Sequence, residues 1–557
     1  MRILTAGVSG AFAALMGLTA CARGPLLQSN VSADLVIAAT TDIHGRARGW
    51  DYYLNAPDTL RGLARVANII DSLRRVTPLQ PVVIDAGDII QGNPLAFAAA
   101  RIDSTMANPV IAAMNVIDYD AAVVGNHEFN YGVRYLDKAA REAEFPLLAA
   151  NVYQSDGTRK YRNWSLSSRH GIRVAIVGAT TPGSMIWDRD NLTKAGLVVR
   201  DIVPEVRAAV RDARGAGADV VVVALHSGLD EPSSYDTVST PIGSENVAAR
   251  VAHEVSGIDL IVYGHSHKEL ADTTINGVLL MQPKNWAQSV AVAHVRLERS
   301  NGRFRVVSKR SSLIQVHGHT ENAQVLAATA EGHRAAIAYA TAAVGSTSQA
   351  WRADSARVID SPLIDFILSV EAKAAGAQLA STAVFDRSAS IGPGPITVAR
   401  LAALYPYDNT LRAVRITGAQ LRAYLEQSAR YFRKGADGSY GTDPRIPGFN
   451  YDVVSGVDYT IDLDRPIGER ITKLQYQGRD VAATDTFTMA LNNYRQTGGG
   501  GFAMLRDAPV VYDKQQEIRQ LLIDEARARR TLQPGDYFQR NWQLLPAAAI
   551  APLLRIP

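Results

Sequence analysis

Six short runs of small and β-branched apolar residues constrain the fold of the first half of the chain more than any other feature. Helical patterns such as Leu63–Arg75 and Ile202–Arg214 separate them. Apolar runs that are nearly continuous and alternate with helices are typical of a sheet that is covered on both faces, so the sequence predicts an α/β fold here. The predicted strands are Leu35–Thr41, Pro81–Ala86, Ala121–Gly125, Ile172–Gly178, Asp219–Leu225 and Ile258–Tyr263.

Asp, His or Asn follows directly where five of these six runs end, usually beside a glycine. Because open α/β sheets bind ligands at the carboxyl ends of their strands, these polar side chains are expected to meet at one edge. The five segments are Asp42-Ile43-His44, Gly87-Asp88, Gly125-Asn126-His127-Glu128, His226-Ser227-Gly228 and Gly264-His265-Ser266-His267.

This set of side chains predicts a site for two metal ions. A carboxylate has two oxygens, so Asp88 can bridge two ions, and an Asp-x-His pair offers one oxygen and one nitrogen to a single ion. Four imidazoles and one amide oxygen favour Zn²⁺, Mn²⁺, Fe or Co²⁺ over Ca²⁺ or Mg²⁺. Two such ions about 3.5–4 Å apart would hold a phosphoryl group and lower the pKa of a water. His127, beside Asn126, is the candidate proton donor to the leaving oxygen.

In this order and spacing, the five segments resemble the signature of the calcineurin-like metallophosphoesterases. The resemblance implies a four-layer α/β/β/α domain, with His127 binding phosphate and protonating the leaving group. It also implies two ligand sets that share Asp88: one ion on Asp42, His44, Asp88 and His267, and the other on Asp88, Asn126, His226 and His265.

After about residue 346 the pattern changes to strand-like segments mixed with helices such as Lys514–Arg530, which predicts a second, α+β domain. Three segments there resemble the C-terminal domain of bacterial 5′-nucleotidases: Tyr405–Leu411, Gly448–Asp452, and Asn492–Arg495 followed by Gly498–Gly501. The resemblance implies that Phe449 and Tyr494 hold a nucleobase between their rings, with Tyr451 the alternative to Phe449. It further implies that Asn409, Asn126 and His127 contact the substrate.

Several details favour one branch of this family. Asn130 stands where typical 5′-nucleotidases carry an Asp that pairs with the catalytic His, and Val384–Arg387 stands near the position of their missing Asn-Gly-Gly-Gly-Ile-Arg motif. Asn130-Tyr131-Gly132, Asp51–Tyr53 and Gln91–Leu95 resemble the 2′,3′-cyclic-nucleotide 2′-phosphodiesterase/3′-nucleotidases. The resemblance therefore implies hydrolysis of these nucleotides for scavenging, with Asn130 as the partner of His127. A 5′-nucleotidase or UDP-sugar hydrolase and a non-catalytic nucleotide-binding lipoprotein are the alternatives.

The single cysteine, Cys21, follows Arg2 and an apolar run from Ile3 to Leu18 that is too short to span a bilayer. This pattern predicts a signal peptide, and the ending Leu-Thr-Ala-Cys resembles a bacterial lipobox, in which the cysteine carries lipid. Plain secretion with cleavage after an Ala is the alternative. We therefore expect an exported, periplasm-facing protein on the outer membrane. With one cysteine, a disulfide within the chain is impossible and metals need O and N ligands.

Charge argues against nucleic-acid polymers as partners. The net charge of +4 is spread along the chain without a block of Lys or Arg. The nucleotide is the expected partner, and the chain is expected to act as a monomer. The predicted organisation is a lipoprotein signal peptide over 1–21, a tether over 22–33, the metallophosphoesterase domain over 34–318, a linker helix over 319–345, the nucleotide-binding domain over 346–545 and a tail over 546–557 with a loose apolar end.

Overall fold

The computed structural model describes residues 32–555 except 234–236, 238–240, 301 and 408. The predicted signal peptide with Cys21, and residues 22–31 of the predicted tether, lie outside the described residues. Ser32 and Ala33 belong to a strand rather than to the tether, because they pair with Glu298 and Leu297 of a neighbouring strand. In the part of the chain that is described, no helix is long and apolar enough to cross a membrane.

Two six-stranded sheets form the N-terminal half. In the first, four parallel strands are extended by an antiparallel hairpin at one side. In order across this sheet the strands are Arg303–Gln315, Ser289–Ser300, Ser32–Thr40, Val82–Asp85, Ala121–Val123 and Leu147–Leu148. The helices Leu63–Val76, Pro94–Phe97, Pro109–Ile117 and Val133–Glu142 belong to this part of the chain, and Pro94–Phe97 continues into a π-helical turn at Ala98–Ile102.

The second sheet has four parallel central strands between two antiparallel edges. Its order is Leu270–Ile275, Val278–Gln282, Leu260–Tyr263, Val220–His226, Ile172–Thr180 and Trp164–Arg169. Val220–His226 is buried along its whole length, as its apolar run predicts. The helices Ile202–Gly215 and Ala248–Glu254 cover this sheet, and Ser184–Trp187 and Arg189–Lys194 follow its strand Ile172–Thr180.

The two sheets pack face to face and helices cover both outer faces. Along the first strand, Leu35 and Ile37 enter the core between the sheets, whereas Val36 and Ala38 face the helices, as the two-residue period of a strand requires. A third apolar core lies between the second sheet and its helices. The predicted four-layer α/β/β/α architecture is thereby confirmed.

The segment between the halves differs from the single predicted linker helix over 319–345. It forms two helices, Ala323–Ala328 and Ala330–Thr341, which meet at Thr329. Arg48 causes the interruption: its guanidinium donates to the Leu326 carbonyl at 2.7 Å and to the Thr329 hydroxyl at 2.9 Å. That carbonyl would otherwise accept the next helical hydrogen bond.

The C-terminal half is α+β, as predicted. Its five-stranded sheet runs in the order Asp452–Ser455, Leu379–Ala383, Thr486–Asn492, Thr410–Thr417 and Val510–Glu517. A four-stranded sheet of Arg479–Asp480, Ile471–Tyr476, Asp458–Asp462 and Trp542–Leu545 lies in the same half. Its main helices are Pro362–Ala375, Val398–Leu404, Gly418–Ala429 and Ile518–Arg529.

Two expectations for this half need correction. The helix predicted over Lys514–Arg530 begins only at Ile518, because the residues before it continue the strand Val510–Glu517. The tail over 546–557 is not loose where it is described. It forms a turn at Ala547–Ala549 and the helix Ile550–Leu554, and Leu553 packs into the C-terminal core with 2% of its surface exposed.

Candidate metal centre and substrate cleft

The predicted ligands converge at the carboxyl edge of the two sheets. The first sheet supplies four of them, after its strands Ser32–Thr40, Val82–Asp85 and Ala121–Val123, and the second sheet supplies three. They are Asp42, His44, Asp88, Asn126, His226, His265 and His267. Two groups of three have all their donor atoms within 4.8 Å of one another: Asp42 with His44 and His267, and Asp88 with His226 and His265.

Five of these seven residues have left-handed backbone conformations. The φ angles are 51° at Asp42, 46° at His44, 62° at Asp88, 70° at His265 and 54° at His267. Non-glycine residues rarely adopt such angles, and each costs of order 1 kcal/mol. Such conformations cluster at ligand-binding sites, where the surrounding structure fixes them to aim a side chain.

Asp88 belongs to the second group and also faces the first. Its Oδ2 is 3.0 Å from Nε2 of His226 and 3.7 Å from Nε2 of His44. Its Oδ1 accepts a hydrogen bond of 2.8 Å from the backbone N–H of His127. The atom that faces both groups is therefore Oδ2, and Oδ1 is held by the next strand end.

The other predicted ligands lie beside one or the other of the two histidines that Asp88 contacts. Asn126 Oδ1 is 3.0 Å from Nε2 of His226. On the other side, Nε2 of His267 lies 3.4 Å from Asp42 Oδ1 and 3.0 Å from Nε2 of His44. Two imidazole nitrogens this close, with a carboxylate beside them, have the spacing of donors around a common cation.

Acceptors fix the second nitrogen of three of these imidazoles. His226 Nδ1 is 2.9 Å from the Ala86 carbonyl, and His44 Nδ1 is 3.2 Å from that of Gln91. His265 Nε2 is 2.8 Å from Oε1 of Glu245. Because these acceptors require an N–H, they leave Nε2 of His226 and of His44 to face the site, an arrangement common around metal-binding histidines.

Burial and nearby charge set the protonation of the donors. Burial lowers the pKa of His44 to about 3, so this imidazole is neutral at pH 7. Burial would raise the pKa of Asp42, but the hydrogen bond and charge of His267 lower it to about 2. Burial disfavours the charged form of His226, yet the Asp88 carboxylate outweighs it and raises the pKa to about 10, so a metal ion would have to displace a proton from this ring. Ionised carboxylates with four imidazoles and an amide oxygen fit divalent transition ions.

Glu128 is a site residue that the strand-end pattern did not single out. Its buried carboxylate accepts backbone N–H groups of Gly125, Asp88, Ile89 and Ile90, at 2.6, 2.9, 2.5 and 3.1 Å. It thereby joins the loops that carry two of the predicted ligands. Its place directly after Asn126-His127 is the signal that could have identified it.

A cleft of about 370 Å³ opens beside the two groups and has walls from both halves of the chain. Asn126, His127, Asn130 and His265 line its N-terminal side. Its C-terminal side carries Tyr407, Asn409, Asn493 and Tyr494. The structure thus brings the candidates Tyr494 and Asn409 to the same cleft as the predicted ligands.

Phe449 is placed differently from the other candidates. It does not line this cleft among the described residues, although 38% of its surface is exposed, as for Tyr494. Its backbone carbonyl accepts a hydrogen bond of 2.9 Å from Nη2 of Arg495. Tyr451, the alternative ring, is fully buried at 0% exposure and faces the core.

His127 contacts Asn130, with 2.6 Å between His127 Nδ1 and Asn130 Oδ1. The Asn130 amide nitrogen in turn donates to both oxygens of Asp188. Asp188 and Glu245 lie in irregular segments far along the chain, so no local pattern connected either with the site.

Two family descriptions match the chain. Residues 35–269 match the calcineurin-like phosphoesterases, and residues 337–507 match the 5′-nucleotidase C-terminal domain. A 2′,3′-cyclic-nucleotide 2′-phosphodiesterase/3′-nucleotidase of Haemophilus influenzae is 30% identical over 94% of this chain and 89% of its own length. The trifunctional nucleotide phosphoesterase YfkN of Bacillus subtilis is 29% identical over 92% of this chain, which spans 39% of that longer protein.

A solved structure has the same architecture. A Staphylococcus aureus protein described as a 5′-nucleotidase superposes with a TM-score of 0.76 at 26% identity, covering 92% of this chain and all of that one. The sequence match and the structural superposition each cover more than nine-tenths of this chain. The chain belongs to the family of metal-dependent phosphoesterases in which a 5′-nucleotidase C-terminal domain follows a calcineurin-like phosphoesterase domain.

Proposed function

We propose that this protein hydrolyses 2′,3′-cyclic nucleotides and 3′-nucleotides to nucleoside and phosphate, for nucleotide scavenging. The observation that carries the proposal is the pair of donor groups that Asp88 faces, beside a cleft that Asn126 and His265 line together with Tyr494. The names of several relatives support the substrate class.

We assign the metal ligands as two sets. Asp42, His44, Asp88 and His267 would hold one divalent ion, and Asp88, Asn126, His226 and His265 the other. The donor chemistry fits Zn²⁺, Mn²⁺, Fe or Co²⁺. Bound there, two such ions supply Lewis acidity toward the phosphoryl oxygens and lower the pKa of a water.

His127 provides the proton for the leaving oxygen. In the cyclic substrate, the oxygen of water bonds to phosphorus while the bond from phosphorus to O2′ breaks, and the proton at His127 Nε2 passes to O2′. A proton from the attacking water replaces it. The resulting 3′-monoester is then cleaved in the same way at its bond to O3′, which releases nucleoside and phosphate.

The C-terminal wall selects nucleotides. The ring of Tyr494 would stack on the base, with Phe449 on its other face and Asn409 in polar contact. Stacking on each ring is worth roughly 1–3 kcal/mol and tolerates every base, because every base has a π-face. Phe449 would have to approach the cleft when substrate binds, since it lies outside the cleft lining.

A substrate panel tests the proposal. The metal-reconstituted protein is assayed with 2′,3′-cAMP, 3′-AMP, 5′-AMP and UDP-glucose under one set of defined metals. We expect ring opening of 2′,3′-cAMP and phosphate release from 3′-AMP to be faster than hydrolysis of 5′-AMP or UDP-glucose. Equal or faster turnover of 5′-AMP or UDP-glucose would replace the proposed function with a 5′-nucleotidase or UDP-sugar hydrolase. No turnover of any of them would favour a non-catalytic binding protein.

We also propose export, lipid attachment at Cys21 on the outer membrane, a periplasm-facing site and a monomeric state. The sequence around Cys21 is the support for export and lipidation. Metabolic labelling with a palmitate analogue, compared between the native chain and Cys21→Ser, tests the anchor. Size-exclusion chromatography with light scattering tests the monomer.

A further inference from the structure

A buried carboxylate lies behind the pair formed by His127 and Asn130. Asp188 stands between the helices Ser184–Trp187 and Arg189–Lys194, and 4% of its surface is exposed. Its Oδ1 and Oδ2 accept hydrogen bonds of 2.9 and 3.0 Å from Nδ2 of Asn130. Asn191 makes a longer contact of 3.5 Å with Oδ1.

These bonds determine how the Asn130 amide is oriented. An ionised carboxylate only accepts hydrogen bonds, so the amide nitrogen must face Asp188 and the amide oxygen must face His127. The amide oxygen is also only an acceptor, so Nδ1 of His127, 2.6 Å away, must carry a hydrogen. The proton that His127 exchanges therefore resides on Nε2.

We propose that Asp188 is a positioning residue for proton transfer, which acts through Asn130 to hold the His127 ring with Nε2 toward the leaving oxygen. This inference rests on the proposed function, because it deepens the role of His127 there. His127, Asn130 and Asp188 all line the cleft, which puts the three residues beside the substrate position.

The arrangement differs from a direct His–Asp pair in where the negative charge lies. Here a neutral amide contacts the imidazole and the carboxylate lies one residue further away. Burial raises the pKa of Asp188 to about 6 despite the Asn130 hydrogen bond, so the group is mainly ionised at neutral pH. The orienting effect of a carboxylate is retained, while its charge is moved away from the ring.

Exchanging the two side chains tests this inference. The variants are Asp188→Asn, Asn130→Asp and the double variant, with Asp190→Asn as a matched control on the neighbouring helix, where Asp190 is partly exposed and 3.9 Å from Lys194. Each is assayed on p-nitrophenyl phosphate and phenyl phosphate, and its metal content is measured. The first ester has a leaving group acidic enough to depart without a proton, whereas phenol needs one.

For Asp188→Asn we expect kcat on phenyl phosphate to fall about tenfold or more and kcat on p-nitrophenyl phosphate to change less than about twofold, at unchanged metal content. Asn130→Asp alone should also lose activity on phenyl phosphate, because it places two carboxylates within hydrogen-bond distance. The double variant restores one carboxylate beside one amide and should recover most of that loss. The control should match the native protein.

Equal losses on both esters for Asp188→Asn, or a double variant no better than the worse single variant, would overturn the inference and assign Asp188 a structural role. The test of the proposed substrate is independent of this comparison of esters. If the native protein cleaves phenyl phosphate but no nucleotide, the proposed substrate is wrong, while the ester comparison still decides the role of Asp188.

Discussion

Asp88 is the one proposed ligand that the two metal sets share. Its Oδ2 faces His226 and His44, and its Oδ1 is occupied by the His127 backbone N–H. A single carboxylate oxygen directed at both groups is the geometry that a bridging ligand needs. The backbone at Asp88, with φ of 62°, is held in this position against its own preference.

Asp88→Asn tests the bridging role without changing the shape of the side chain. The amide can still accept from the His127 N–H, but the negative charge beside His44 and His226 is lost. We expect ion content to fall below two per chain and phosphate release to fall more than about a hundredfold, measured by elemental analysis and a phosphate assay. Asp34→Asn, at the exposed start of a neighbouring strand, should retain both. Full metal content and turnover in Asp88→Asn would exclude the bridge.

Asp365, in the C-terminal half, should make the folding stability depend on pH. Burial and then the nearby charge of Asp360 raise the pKa of its carboxyl to about 7, from an ordinary value of 3.8. Below about pH 4 the group is protonated in both folded and unfolded chains and contributes nothing. Between about pH 4 and pH 7 only the unfolded chain ionises, so folding stability falls as pH rises, and above pH 7 the loss is constant.

Asp365→Asn should remove this loss. The Gln539 N–H, 3.0 Å from Oδ2, can donate to an amide oxygen instead. We expect the melting temperature of the variant to exceed that of the native protein by more at pH 8 than at pH 5, because the free-energy cost of the Asp365 carboxyl grows by about 3 kcal/mol between these pH values. Asp524→Asn, on the exposed surface of a helix in the same half, is the control. A difference between variant and native protein that is independent of pH would show that the carboxyl does not titrate in this way.

For single residues, the sequence predicts which side chains meet in the site, but it does not predict the backbone conformation that orients them. The left-handed φ angles at Asp42, His44 and His267 result from loops that several strand ends hold in common. No local pattern predicts them, because non-glycine residues avoid this region on their own. The partners Glu245 and Asp188 were missed for a related reason, since each reaches the site from a loop far from the residue that it contacts.

Among the secondary-structure elements, the buried strands are the ones that the sequence predicts most accurately. Apolar runs such as Val220–His226 are buried throughout, and the parallel register places their carboxyl ends at one edge. The strand-end rule is therefore sufficient to predict that ligands from the two sheets meet at one edge.

Helical patterns in the sequence predicted the bounds of the helices less well, because tertiary contacts determine where a helix begins or is interrupted. Arg48 interrupts the linker helix at Thr329, and residues 514–517 extend a strand through pairing with Thr410–Thr417.

Arg495 joins the two segments that carry the candidate base-binding rings. Its guanidinium is buried and makes a bidentate pair with Asp452, with distances of 2.8 and 2.6 Å. It also donates to the carbonyls of Gly499 and Phe449, at 2.7 and 2.9 Å. One cation thereby fixes the short helix Asn493–Gln496, which carries Tyr494, against the turn that carries Phe449.

Tyr494→Ala and Arg495→Lys should both weaken nucleotide binding. The first removes a stacking ring, and the second replaces a planar bidentate group by a single ammonium that cannot hold both segments. We expect KM for 2′,3′-cAMP to rise roughly tenfold to a hundredfold, with little change for p-nitrophenyl phosphate. Phe538→Ala, an exposed ring elsewhere in this half, is the control. If both substrates suffer equally, the role in base binding is wrong.

The whole molecule divides the candidate metal ligands and the candidate base-binding rings between its two halves. Two sheets packed face to face supply all of the candidate metal ligands from one edge, and the C-terminal half supplies the aromatic and amide wall of the cleft. Neither wall alone contains both sets of side chains. The sequence could predict this division, because the metal ligands all precede residue 270 and the aromatic candidates all follow residue 400.

Parallel measurement of bound metal and turnover tests whether two ions at this site are needed for phosphoester cleavage. The protein is stripped with a chelator and reloaded with increasing Mn²⁺, Zn²⁺ or Co²⁺. Ions per chain and cleavage of 2′,3′-cAMP are then determined on the same samples. We expect cleavage to be absent from the stripped protein and to reach its maximum when two ions are bound per chain. Full cleavage by the metal-free protein, or maximal cleavage with only one ion bound, would contradict this expectation.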